Sequence, residues 1–143
     1  MSEVSLVRLY VLRATYLLIV VGLGIDVLPE LFHHPATWSL MRGVVCCLLS
    51  TVALLALLGL RHPLALLPLL LFEVVWKALW LGVFGIPLAR AGQLDAATRE
   101  TVKACAMGLV IFPLAIPWGY AYRRYLRAPA DRWRPRATET REA

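Results

Sequence analysis

No Walker phosphate loop, no Rossmann glycine fingerprint, no Ser/His/Asp arrangement and no zinc-hydrolase pattern occurs in this chain. Nucleotide, dinucleotide and hydrolytic chemistry are therefore left without an anchor. Cysteine is sparse, with Cys46, Cys47 and Cys105 the only three. The C-x-x-C of thiol–disulfide enzymes is missing and adjacent cysteines rarely bond one another, so free thiols acting as small hydrophobes are expected. A bridge from Cys46 or Cys47 to Cys105 is the one pairing that the helix register leaves open. There is no repeat at a fixed period. Apolar and polar residues do not alternate, which argues against a membrane barrel. Charge is scarce as well, at 17% of 143 residues.

What is present is apolar. Hydrophobic residues make up 60% of the chain and the mean hydropathy is +0.70, more than a soluble domain of this size has use for. Four runs, about 9–28, 43–60, 64–87 and 104–122, are close to the ~20 residues that a ~30 Å hydrocarbon core demands. The expected fold is all-α, an integral membrane four-helix bundle running up-down-up-down over residues 1–122, with a basic tail over 123–143. Arg8 and Arg13 flank the start of the first run, as in a signal peptide. Asp26 and Pro29 close it, however, and the small-residue pairs lie inside the apolar stretch, so an uncleaved anchor is expected.

The basic residues set the orientation. Arg8, Arg13, Arg61 and the tail arginines Arg123, Arg124, Arg127, Arg132, Arg134, Arg136 and Arg141 make 10 on one side, against Arg42, Arg90, Arg99 and Lys103 on the other. The positive-inside rule then puts both termini in the cytoplasm of a bacterial inner membrane. The formal charge of +6 is read as topology and not as nucleic-acid binding. The tail is expected to lie against anionic headgroups, with Pro129 and Pro135 interrupting any long helix there. Tyr10, Trp38, Trp118, Tyr120, Tyr122 and Tyr125 fall near span ends, as an interfacial belt requires.

The third run carries the main anomaly, Phe72-Glu73-Val74-Val75-Trp76-Lys77. Eight leucines between Leu64 and Leu81 contribute roughly −2 to −5 kcal/mol to insertion, against roughly +5 to +7 for Glu73 and Lys77 as separate charges. The other apolar residues bring the sum near balance, and the short Arg61-His62-Pro63 connection predicts insertion as a hairpin with the second helix. Glu73 and Lys77 share one helix face in the favoured i,i+4 order, and Trp76, Trp80 and Phe84 extend nearly the same stripe. Such a pair is either a structural ion pair or the polar centre of a ligand or proton site.

In the fourth run Pro113 and Pro117 remove two rungs of the helical ladder. A kink is expected, with the carbonyls of Leu109 and Pro113 free to receive Lys77 or a ligand. Asp95 and Thr98 are candidate N-caps for that helix. Asp26, Glu30, His33 and His34 cluster in the first outer loop beside Pro35. They lack a compact metal spacing and are read as a polar rim, with Asp26 alone a candidate to face the bundle. Gly22, Gly24, Gly43, Gly59, Gly82, Gly85, Gly108 and Gly119 permit close helix approach. Gly82-x-x-Gly85 is not the Gly-x-x-x-Gly dimer motif, and self-association stays open.

The stretch from Pro68 through Glu73, Trp76 and Lys77, with Ile116-Pro117-Trp118 and Ala130-Asp131-Arg132-Trp133-Arg134, resembles a group of small bacterial membrane proteins that carry no assigned activity. In size and helix count the chain is also similar to the broad DoxX-like group of four-helix proteins, some tied to redox partners, although no diagnostic motif of that group matches residue by residue. The residues themselves favour a non-catalytic module that binds a small lipophilic or amphipathic ligand at Glu73, Trp76, Lys77, Trp80, Pro113 and Pro117. No cofactor is expected. The expected partners are membrane lipids, a lipophilic small molecule, and a second copy or a membrane subunit. The alternatives are a scaffold whose ion pair only fixes packing, and a small membrane enzyme with Glu73 as acid/base and Trp76 or Trp80 shielding it.

Overall fold

The computed structural model describes residues 4–33 and 38–130 of the chain, and no strand occurs among them. Helix α1 (Leu6–Asp26) starts at Ser5, whose hydroxyl accepts from the Arg8 N–H at 3.3 Å. A one-turn helix α2 (Leu28–Phe32) follows with Pro29 in its first turn, a position where the missing N–H costs nothing. Helix α3 (Leu40–Arg61) is capped by Ser39 in the same manner as α1. Helix α4 (Leu67–Arg90) contains a π-helical stretch, Leu81–Gly85, just before Pro87. A proline ring there would strike the Val83 carbonyl of an unbroken α-ladder, and the wider turn relieves that clash. Helix α5 (Ala96–Ala115) begins at Asp95, whose carboxylate accepts from the Thr98 N–H at 2.7 Å. Helix α6 (Trp118–Arg127) leaves it at an angle of 74°.

Helices α1, α3 and α4 are each long and apolar enough to cross a membrane, and α5 with α6 makes a fourth such segment if the bent pair is counted as one. Helix α1 packs along α3 and also touches α5, while α4 lies against α5 and α3. The buried stripe of α1 is Leu12, Thr15, Tyr16 and Ile19, the i, i+3, i+4, i+7 face of a helix. In α3 the buried positions are mostly small: Cys46, Ser50, Ala53, Ala56 and Gly59. The opposite faces are apolar and exposed, as with Phe72, Val75 and Leu79 on α4. Only 22% of the apolar stretch of α1, 33% of that of α3 and 28% of that of α4 is buried. Water-soluble bundles reverse this arrangement.

The fourth run bends, as its two prolines predict, but the bend does not fall at the first. The helix continues through Pro113 to Ala115, and the break falls at Ile116–Pro117 instead. A residue before proline avoids the αR region, and Ile116 is extended at φ −65°, ψ 125°. Its carbonyl is taken by the Arg8 guanidinium at 2.9 Å. Beyond the break the chain stays helical to Arg127, past the predicted end of the span at 122. Most of the predicted basic tail, including Arg132, Arg134, Arg136 and Arg141, lies outside the described residues, as do His34 and Pro35.

Helix α1 supplies two more donors, to carbonyls at the end of α3 and in the turn after it. Arg13 Nε donates to the Leu60 carbonyl in the last turn of α3 at 3.1 Å, and the buried Tyr16 hydroxyl donates to the Pro63 carbonyl at 3.0 Å. These carbonyls have few partners of their own: the last carbonyls of a helix lack an intrahelical one, and the turn after α3 offers no ladder. The Tyr16 ring reaches its place because residue 59 is glycine. A Cβ there would stand 2.5 Å from Tyr16 Cδ1. We expect Gly59→Ala to lower stability by about 1–3 kcal/mol, the usual cost of overpacking, and Tyr16→Phe by about 1 kcal/mol, both read from thermal unfolding of the purified protein.

The cap of α5 is pH-dependent. Hydrogen bonds from the Thr98 side chain and backbone hold the Asp95 carboxyl below its ordinary value. Its contribution is complete above the ~3.9 of an unfolded aspartate and is lost as pH falls through the lower folded value. An NMR titration should move the Thr98 amide with a midpoint below pH ~3.9, and Asp95→Asn should abolish that transition.

Candidate functional site

Helix α4 turns Glu73 and Lys77 inward, where they are 3% and 9% exposed. The Lys77 ammonium donates to Glu73 Oε2, one turn earlier on the same helix. Its stem lies across Gly108 of α5, where a Cβ would come within 2.8 Å of both Lys77 Cδ and Cε. The ammonium stands 4.2 Å from the Trp76 ring centroid and 5.1 Å from that of Phe112. A lysine withdrawn from water is thus held by one carboxylate oxygen and two aromatic faces, a combination suited to a desolvated cation.

Beside the pair is a cavity of about 210 Å³ formed by α1, α3, α4 and α5. Its wall is mostly apolar, with Ile19, Leu23, Leu49, Ile111 and Phe112 prominent, and Glu73, Lys77 and Asp26 bring the charge. Leu18 and Gly22 of α1 and Ala104 and Met107 of α5 line it and are also exposed. The cavity therefore opens sideways between α1 and α5 onto the apolar exterior. Two buried polar atoms here have no hydrogen-bond partner, Glu73 Oε1 and Trp76 Nε1. One is an acceptor and the other a donor.

The six residues singled out in the sequence divide evenly. Glu73, Trp76 and Lys77 line the cavity and Trp80, Pro113 and Pro117 do not. Trp80 is half-buried near Gly85. The Pro113 carbonyl accepts from Trp118 Nε1 at 2.8 Å, and Lys77 donates to Glu73. Pro117 sits at the break beneath Arg8. Asp26 does join the cavity wall, whereas Glu30 pairs with Arg42 at 2.7 Å and a His33 ring nitrogen meets the Pro29 carbonyl at 3.2 Å. Among the described residues no three His, Cys, Asp or Glu side chains gather as a metal ion would require. Cys46, Cys47 and Cys105 are all free thiols. Sequence reasoning missed Gly22, Met107, Gly108 and Phe112 as parts of the site. The one available signal was the glycines themselves, Gly22 and Gly108, among those that permit close helix approach.

Comparison with known proteins finds no protein family that matches the chain, and no curated protein or solved structure that is detectably similar to it.

A buried pair is costly to break and cheap to replace whole. Lys77→Met alone should destabilise the protein by about 3–5 kcal/mol, because it leaves a buried carboxylate unpaired. Glu73→Gln combined with Lys77→Met should unfold within about 1 kcal/mol of the unaltered chain, or later, by denaturant titration.

Proposed function

We propose that this chain is a multi-pass membrane protein, a four-helix bundle of up-down-up-down topology with both termini cytoplasmic, and that its lateral cavity binds a small lipophilic or amphipathic ligand. The membrane setting is supported by the exposed leucine and valine faces of helices long and apolar enough to cross a bilayer, while Glu73 and Lys77 are turned inward, an arrangement suited to lipid as solvent. The topology is supported by the donors of α1, which link it to the end of α3, the turn that follows α3 and the break after α5. The arginine asymmetry supports the orientation.

One observation carries the ligand reading: the buried Glu73 Oε1, with no protein partner, beside an apolar cavity. A buried carboxylate oxygen without a donor carries a desolvation penalty, which an occupant bearing an N–H or O–H would remove. The closed Lys77–Glu73 pair favours a second reading, in which the bundle is a scaffold and the pair fixes only how α4 meets α5. That reading leaves the cavity and the orphan oxygen unexplained.

Native mass spectrometry of the protein extracted with its lipids separates the two. The unaltered chain should carry a discrete non-phospholipid mass that the Glu73→Gln, Lys77→Met double variant lacks. Gly22→Leu provides the second arm, since nothing lies within 4 Å of a Cβ at that position and a leucine there enters the mouth of the cavity without disturbing the helix. It should keep the thermal stability and lose the adduct. Identical phospholipid adducts on all three folded proteins would establish the scaffold reading instead.

A further inference from the structure

We propose that the ligand of this cavity is a lipophilic amine, held as its ammonium between Glu73 Oε1 and Asp26 after entering sideways between α1 and α5; this rests on the ligand-site reading above. Three ionisable side chains line the cavity, two acidic (Asp26 and Glu73) and one basic (Lys77), so acidic groups outnumber basic ones on its wall. The one cation is already committed, to Glu73 Oε2 and the faces of Trp76 and Phe112. What an occupant meets is therefore unbalanced negative charge: a carboxylate oxygen 97% withdrawn from solvent with its residue, and a second carboxylate at the more open end.

Carboxylate oxygens only accept hydrogen bonds, so the occupant must donate. Alcohols and ammonium groups both do, but only the ammonium also neutralises the excess charge, and in a site of low dielectric that difference is large. Lipophilic acids are excluded by the same charge. The apolar wall takes the hydrocarbon part. In size, about 210 Å³ exceeds the ~150 Å³ engineered cavity that accepts benzene, so one aromatic ring with a short chain fits. The mouth between Leu18, Gly22, Ala104 and Met107 faces the apolar exterior, which suits a ligand already dissolved in lipid.

Calorimetric titration of the full chain in detergent with 2-phenylethylamine, 2-phenylethanol and 3-phenylpropanoate tests this class. The amine should bind at least tenfold more tightly than the alcohol, and the acid should not bind. Asp26→Asn, at an exposed position, should cut amine affinity by about tenfold toward that of the alcohol and leave the alcohol unchanged. Alcohol binding that equals or exceeds amine binding, and vanishes in Gly22→Leu, would overturn the amine assignment and leave the cavity reading standing. Amine binding that survives Gly22→Leu and Asp26→Asn unchanged would place it elsewhere and overturn the proposal. Failure of all three probes on folded protein would also overturn it, while the mass-spectrometric comparison decides independently whether the cavity holds any ligand.

Discussion

The contact of the Lys77 stem with Gly108 governs how the middle of this molecule is built. An ammonium withdrawn from water needs partners for its charge, and α4 alone offers two, Glu73 one turn back and the adjoining Trp76 face. The third, Phe112, comes from α5 and is available only if α5 approaches closely. Glycine at position 108 makes that approach possible, because any side chain there would occupy the volume of Lys77 Cδ and Cε. The closeness of α4 to α5 then has a consequence on the other flank. Glu73 uses one oxygen toward Lys77, and the space remaining between α1 and α5 becomes the cavity beside which the other oxygen stays unpaired.

A different device holds the end of the bundle where α1 begins. Helix ends leave carbonyls without intrahelical partners, and each of them needs a donor from elsewhere. Helix α1 answers with long polar side chains spaced along its first three turns. Arg8 reaches Ile116, Arg13 reaches Leu60 and Tyr16 reaches Pro63, carbonyls at a break, a helix end and a turn. The donors are cationic or phenolic and their stems or rings are apolar, so the same residues also cover hydrophobic surface. The two devices share a physical logic, in which polar groups inside apolar surroundings are tolerated where a specific partner meets them.

The apolar runs and the i,i+4 relation of Glu73 to Lys77 were legible because both are local properties of the chain. The break in the fourth run was not. Pro113 and Pro117 each remove one N–H and look equivalent in sequence, so a kink at the first was as reasonable as a break at the second. What separates them is the Ile116 carbonyl, which an arginine 108 positions earlier in the chain accepts responsibility for. The roles of the glycines were hidden for the same reason. Of the nine glycines in the chain, only Gly59 and Gly108 would bring a Cβ closer than 3.0 Å to a neighbour, and the neighbours are Tyr16 and Lys77, both on other helices. Trp80 lies only one turn beyond Lys77, yet it is absent from the cavity wall. A stripe drawn at 3.6 residues per turn drifts sideways over one or two turns, and only the position of the facing helix decides which of its members meet the cavity.

The energetics of the Glu73–Lys77 pair bear on what the site is for. Two charges on a leucine-rich helix oppose its insertion into lipid, and packing alone is served as well by apolar residues of similar volume. A pair that served only to fix the α4–α5 contact would be complete once its own polar atoms were satisfied. Here the ammonium is well provided for, whereas Glu73 keeps one oxygen unpaired at the cavity and Asp26 stands on the same wall with no ion pair to any described residue. The excess of acidic over basic groups lies on the cavity wall, where the Trp76 Nε1 donor is also without a partner. Neutral filling by hydrocarbon would leave it in place, and water would satisfy the oxygen without balancing the charge. An occupant that brings both a donor and a positive charge removes both costs at once.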